Sequence, residues 1–440
     1  MKLIFKISLR NVILHWRQSL ASIISLAAGL ISLVLFQGYM KDIQTMYQES
    51  FRSRMMYGDI IIEHIKMKEV EGRSEPWKYG ISAKDQEFIQ ASLRKSENQI
   101  NSIVQFLSID GAVTNGKSNT IFRGLGQSLK SAEMMRGKDW AWNAIYGKPL
   151  NSKHQDEVML GQSLGKILGC RPNKKEHFMD SVAGYKAEVR PFHCDNDELQ
   201  LSVTTKSGTL NAIDLKVVGL VDALYKDIDD KYLVTSLESA QMLMNTQDVS
   251  SISVKLKDPK EQVDQLVYSL NLAFKKADLN YYAIRWEEHR VGEMYVRTMD
   301  LLSIFRNFVV SIILVIAVLA IFNTMLKLVK ERTREIGTLR SIGFTPQLVL
   351  FLFITEAVIL SFLGGFIGSL LALSSTFGVN ALSIVYKAGV FVEPVPFRIM
   401  FSLSLYIWSF IFLSVLSGIT TWFVCRSTLS GEAVENLTHS

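Results

Sequence analysis

Four long apolar runs divide this chain, at residues 19–39, 301–328, 347–376 and 401–425. Each is long enough to cross a bilayer as a helix, since ~20 residues at the helical rise match the hydrocarbon thickness. Around the first two runs, apolar side chains continue at helical spacing. Met40, Ile43, Tyr47 and Phe51 follow the first, while Val291, Met294, Tyr295 and Leu302 lead into the second. Steps of three and four place each set on one stripe of a helix. Both spans are therefore expected to continue outward and pack together as a stalk.

Residues 40–300 show shorter, mixed periods. Alternation predicts strands at Gly58–Glu63, Ser102–Val113, Asn119–Gly124, Glu157–Leu160, Leu215–Val221, Ile252–Leu256 and Tyr281–Trp286. Helical spacing predicts helices at Ala83–Leu93, at Gln162–Leu168 with Gly169 closing it, at Ser236–Met244 behind a Ser cap, and from Pro259 to Ala277. The fold class is thus an α-helical membrane protein of four transmembrane helices, with a large α/β domain inserted between helices 1 and 2.

Charge sets the orientation. The 440 residues carry a net charge of +6, which by itself would admit a nucleic-acid partner. The basic residues lie beside the spans, however, as topology requires, and no nucleic-acid face is read from them. Lys2, Lys6, Arg10 and Arg17 precede the first span without an acidic residue among them. The first run is too long for a signal peptide and no small-residue cleavage site follows it, so an uncleaved anchor is expected. Residues 1–18, 329–346 and 426–440 are placed in the cytoplasm. Residues 40–300 and the loop 377–400, with only Lys387, Glu393 and Arg398 charged, are placed outside.

Between the second and third spans lies Lys327–Pro346, with five basic residues before Gly343. Arg332, Arg334 and Arg340 alternate with Glu331 and Glu335, and Ile336, Leu339 and Ile342 recur at three-residue steps. Gly337 leaves room for close approach, Gly343 stops the helix, and Pro346 opens the next. A short basic helix held between two spans is suited to act as a lever at the membrane surface, its guanidinium groups reaching for acidic partners. In the third span Glu356 is costly unless paired or near the headgroups. Its expected partner is Arg334 or Arg340, the alternative being interfacial water. Gly364 and Gly368 form a small-xxx-small step that serves either the chain's own bundle or a dimer contact.

The run Glu331–Gly343, followed by Glu356 and by Gly364, Gly365 and Gly368, resembles the signature of FtsX-type permeases. These are the membrane subunits of ABC transporters that include the MacB and LolC/LolE branches. The order of the outer elements, with Val158–Gly169 among them, extends the resemblance, and Arg171–His177 departs from it. The resemblance implies an inner-membrane protein with a periplasmic MacB-like domain and a second permease, identical or homologous. It further implies two copies of a separate ABC ATPase that hold the ATP and magnesium, so this chain binds no cofactor. ATP-driven closure would push Glu331–Ser341 and move the stalk and outer domain against cargo on the periplasmic side. A lipoprotein-releasing machine is the first expectation. A tripartite MacB-type pump, with an adaptor or outer-membrane channel, is the second, and FtsX-like control of cell-wall hydrolases the third. A periplasmic chaperone is a further partner of the first. From another class stands a membrane-anchored sensor or scaffold, which has no use for the basic lever.

The remaining chemistry is sparse. Gly111–Ser118 spells a phosphate-loop pattern, but Asn115-Gly116 is a hairpin turn and a strand is expected after it, so Lys117 is read as a surface residue. Cys170 and Cys194 fall in the outer block, where they either pair or stay free; Cys425 closes the fourth span. His64, His154, His177, His193 and His289 show no metal-ligand spacing, and no nucleophile–base set is seen. The chain is expected to be a non-catalytic subunit.

Overall fold

The computed structural model describes residues 2–138, 144–152, 154–173, 178–182, 185–223, 226–259, 262–386 and 395–429. Lys387 and Glu393 of the expected loop, His177, and the tail beyond 429 lie outside the described residues. In chain order the principal helices are α1 (Lys2–Leu14), α2 (Trp16–Glu49), α3 (Ala83–Arg94), α4 (Leu129–Arg136), α5 (Gln162–Ile167), α6 (Leu237–Met244), α7 (Gln262–Lys276), α8 (Arg290–Glu331), α9 (Thr333–Ser341), α10 (Pro346–Ala381) and α11 (Leu403–Leu429). Two compact units result: Met1–Thr45 with Thr298–Tyr386 and Pro396–Ser440, and Met46–Arg297 with Lys387–Val395.

Among the described residues four helical stretches are long and apolar enough to cross a membrane: Ser19–Arg54, Arg290–Glu331, Pro346–Ala381 and Leu403–Arg426. The first three contain and overrun their apolar runs, and the fourth begins two residues inside its run. In the helical unit α10 is the central helix, because its glycines admit neighbours on two sides. A side chain at Gly364 would stand 2.8 Å from the Leu26 Cβ, and one at Gly368 3.0 Å from the Ala27 Cα, both on α2. The ring of Phe410 on α11 covers Gly365 and meets Phe362 edge-on, with centroids 5.7 Å apart. Small residues let helix backbones approach where lipid gives no hydrophobic drive between them.

The α/β unit is built on ten strands: β1 (Ile60–His64), β2 (Ile100–Thr114), β3 (Asn119–Gln127), β4 (Ala144–Gly147), β5 (Glu157–Gly161), β6 (Glu198–Thr204), β7 (Leu210–Val221), β8 (Tyr232–Ser236), β9 (Ser251–Leu256) and β10 (Tyr281–Arg285). They form one sheet in the order β6-β7-β5-β8-β3-β2-β9-β1-β10, with β4 on β7. β6 also pairs back onto β2, Gln200 opposite Thr114 and Ser202 opposite Ala112. That pairing closes six strands into a ring and removes two edges. β5–β7 and β3–β8 are parallel pairs within an otherwise antiparallel sheet.

Strand β2 shows why both faces of the sheet are covered. Leu107, Ile109 and Val113 point into the main core, which α3, α6 and α7 complete with Ile89, Leu243 and Phe274. Val104 and Phe106 point the other way, against Ala132 and Met135 of α4. The two-residue period of a strand makes this division automatic. Ser236 caps α6 by accepting from the Ser239 amide at 3.0 Å. At the far end Asn245 takes a left-handed conformation, and the Thr246 and Asn245 amides donate to Gln241 and Met242, closing the helix as a Schellman turn.

Candidate functional site

α9 is joined to α8 by a single irregular residue, Arg332, and the site forms around it. The break turns the Arg332 side chain inward toward α10, where it is 5% exposed. Its Nη1 donates to Glu356 at 2.8 and 3.1 Å, and its Nε to Glu335 at 2.7 Å. The guanidinium also lies 5.3 Å from the centre of the Phe353 ring. Burial works against the charge on Arg332, but Glu356 and Glu335 outweigh it and hold the guanidinium above its ordinary value. Glu356 is 2% exposed and takes a third hydrogen bond, from Asn11 Nδ2 of α1 at 2.6 Å. Ser8 of the same helix donates to the Leu352 carbonyl at 3.2 Å, and His15 Nε2 lies 3.5 Å from Glu335. Three elements thus converge on one buried carboxylate.

The expected partner of Glu356 is corrected by this geometry: it is Arg332, not Arg334 or Arg340. Ile336 is in the core at 2% exposure, and the residue four before it shares its helical face. Arg334 is about 200° round the helix from Arg332 and is exposed. Arg340 is half-buried. The three-residue apolar spacing also fails as a single stripe, because each such step falls about 60° short of a full turn. Ile336 and Gly337 are buried and Leu339 is half-buried, whereas Ile342 is 72% exposed. Glu331 is exposed and 3.8 Å from Lys327. Gly343 has φ +103°, and the Phe344 and Gly343 amides donate to Leu339 and Arg340. This is again a Schellman turn, which only a residue tolerant of positive φ completes without strain. Thr345 and Pro346 then cap α10.

In the α/β unit Tyr47, Phe51, Val291 and Tyr295 share one cluster with Ile61, Tyr57 and Trp286, and Phe51 stacks on Trp286 with centroids 5.6 Å apart. Met294 is 51% exposed. In the helical unit Met40 is buried, and Ile43 and Leu302 are half-buried. Glu63, unmarked in the sequence, is buried and accepts from Tyr282 and from His289 Nε2, the latter at 2.9 Å. Burial raises its carboxyl, but His289 and Tyr282 outweigh that and keep it below the ordinary carboxylate value. Cys170 and Cys194 face each other across a two-strand pair and are bonded, S–S 1.97 Å. The phosphate-loop pattern lies on the β2–β3 hairpin: Asn115 Oδ1 accepts from the Lys117 and Ser118 amides at 2.9 and 2.7 Å, Gly116 has φ +84°, and a strand follows. Among the described residues no group of three or more metal-ligating side chains occurs.

Asn11 and the role of Arg332 were missed by sequence reasoning. The signal for Arg332 was there, since a core-facing Ile336 fixes the face of the residue four before it. Nothing local marks Asn11, which reaches Glu356 only because α1 folds against α10.

A polytopic membrane protein with an ion pair buried among its spans, and a short basic helix between two of them, is the class these features define. Residues 307–432 match the family described as FtsX-like permease C-terminal. It is 28% identical over 217 residues to the pyoverdine export ATP-binding/permease protein PvdT of Pseudomonas syringae pv. syringae (strain B728a), covering 48% of this chain and 31% of that protein. It is 25% identical over 292 residues to the ABC transporter permease YtrF of Bacillus subtilis (strain 168), covering 61% and 62%. The chain therefore spans less than two thirds of these relatives' length. Among solved structures, the periplasmic region of MacB from Actinobacillus actinomycetemcomitans aligns over 55% of this chain and 92% of that one, at 12% identity and a TM-score of 0.32.

Proposed function

We propose that this chain is the non-catalytic permease subunit of an inner-membrane ABC transporter, driven by two copies of a separate ATPase and paired with a second permease. In this reading the α/β unit stands in the periplasm and acts on lipoprotein-like cargo there. The observation that carries the proposal is the division of labour on α9. Its inner face, Arg332 and Ile336, is tied to α10 by a buried ion pair and core packing. Arg334, on the other face, is exposed beside Glu335 and Thr338. A push on the exposed face is passed to the third span through Arg332–Glu356, and to the second through the short join at Arg332. ATP and magnesium belong on the partner in this reading. Export of a small molecule through an adaptor and channel is the second reading, favoured by the export named in PvdT's description.

The test is charge reversal on the outward face. Arg334→Glu, rather than a change at half-buried Arg340, alters that face without entering the core. Membrane insertion and thermal stability should stay at wild-type values, while co-purification of the ATPase falls at least about tenfold, as like charges replace attractive ones at a desolvated contact. Retention of the ATPase and of transport by Arg334→Glu would reduce α9 to a topology signal and remove the main support for the proposal.

A further inference from the structure

α1 turns two different faces to its surroundings. Its inner face is fastened to the third span, through Ser8 on the Leu352 carbonyl, Asn11 on Glu356 and the buried Val12. Its outer face is open. Phe5, Leu9, Ile13 and Trp16 are between 41% and 66% exposed, and steps of four, four and three residues place them on one stripe. Lys6, Arg10 and Arg17, all exposed, form a second stripe about 90° further round. The His15 amide donates to Asn11 and the Ser19 amide to His15, so the helical phase runs on through the junction with α2. α1 holds no acidic residue, and among the described residues no carboxylate pairs with Lys6, Arg10 or Arg17. The Arg17 guanidinium lies 5.6 Å from the centre of the Trp16 ring.

We propose that the outer face of α1 lies on the bilayer surface and binds the headgroups of anionic phospholipids. Asn11 reaches Glu356, whose partner Arg332 is the first residue past the second span, so α1 is held at the level where that span ends. At that depth an apolar stripe can enter the acyl boundary while the basic stripe beside it meets phosphate, as in an interfacial helix. The apolar stripe is also continuous with the bilayer-facing chain, because its last member, Trp16, opens α2, which goes on to form the first span. Charge then selects the lipid, since three cations without a counter-charge suit an acidic surface. A second copy of α1 would set like charges together. An acidic protein would answer the charges but leave the apolar stripe against polar groups. Such binding needs no ATPase and is separate from the coupling role of α9, although Asn11 puts the lipid surface one helix away from Glu356.

The full-length chain carrying Ile13→Cys and Cys425→Ser, with a fluorophore on the new thiol, is placed in phosphatidylcholine nanodiscs. A small fraction of brominated phosphatidylglycerol, or of brominated phosphatidylcholine with identical acyl chains, then quenches according to its concentration beside α1. Phosphatidylglycerol should quench at least about threefold more strongly, since a single basic residue near an acidic surface corresponds to about fivefold. With Lys6→Gln, Arg10→Gln and Arg17→Gln added, the ratio should fall to about one. Should that variant fail to insert, high salt on the chain with its basic stripe intact supplies the second measurement. Screening shortens the reach of exposed charges, so the ratio should fall while quenching by brominated phosphatidylcholine persists. Equal quenching by the two lipids at low salt, or a ratio that neither the substitutions nor salt lower, would overturn the assignment. Absence of quenching by either lipid would overturn it too, by showing that protein covers this face.

Discussion

Glu356 and Arg332 show what a single ion pair does inside a membrane bundle. The carboxylate has three hydrogen bonds, two from Arg332 and one from Asn11, so its charge is met in a place where water is not. Removing one partner leaves the other buried and uncompensated, at a cost of about 3–5 kcal/mol, whereas replacing both with apolar groups is often nearly neutral. Glu356→Gln and Arg332→Met should therefore each lower thermal stability in detergent strongly, and Arg332→Met with Glu356→Met should recover most of the loss. If the two single losses simply add in the double variant, the residues are not coupled and the pair does not hold α9 to α10.

At the scale of elements, α10 depends on which of its glycines face a neighbour. Gly364 and Gly368 lie against α2, while nothing lies within 4 Å of a side chain built at Gly378 on the same helix. Gly364→Leu should therefore destabilise by about 1–3 kcal/mol or more through overpacking. Gly378→Leu should stay within about 0.5 kcal/mol, as substitutions away from packed features do. Unfolding midpoints of the two variants in detergent compare them directly, and equal effects would mean that the α2–α10 contact is not the reason for the glycines. The sequence offered Gly364 and Gly368 to either a dimer contact or the chain's own bundle; the contact with Leu26 and Ala27 uses them within the bundle.

For the whole molecule, the prediction is one of topology. The proposed function requires the α9 connection on one side of the membrane and the α/β unit on the other. In a Cys425→Ser background, a thiol at Ser118 or Ser207 should react with a membrane-impermeant reagent in intact spheroplasts, and one at Ser341 should not. Ser118 and Ser207 lie at two hairpin tips, after β2 and after β6, so accessibility there reports on sidedness. Labelling of Ser341 from outside would remove the four-span arrangement and with it any role for α9 in meeting a cytoplasmic ATPase.

The apolar runs, the basic interruption and most strands and helices of the α/β unit were legible in the sequence, because each is written in a local period or a local cap. Ser236 before α6, Gly343 after α9 and Asn115-Gly116 between β2 and β3 act through neighbours no more than about five residues away. Partner choice is different. Whether Arg332, Arg334 or Arg340 meets Glu356 depends on where the helix breaks and which way it turns, and Ile336 is buried in one cluster with residues of α8 and α10. The return of β6 onto β2, the capture of Glu356 by Asn11, and the contact of Arg136 with the Met56 sulfur join residues 86, 345 and 80 positions apart. No local period reaches that far, and only the tertiary structure decided them.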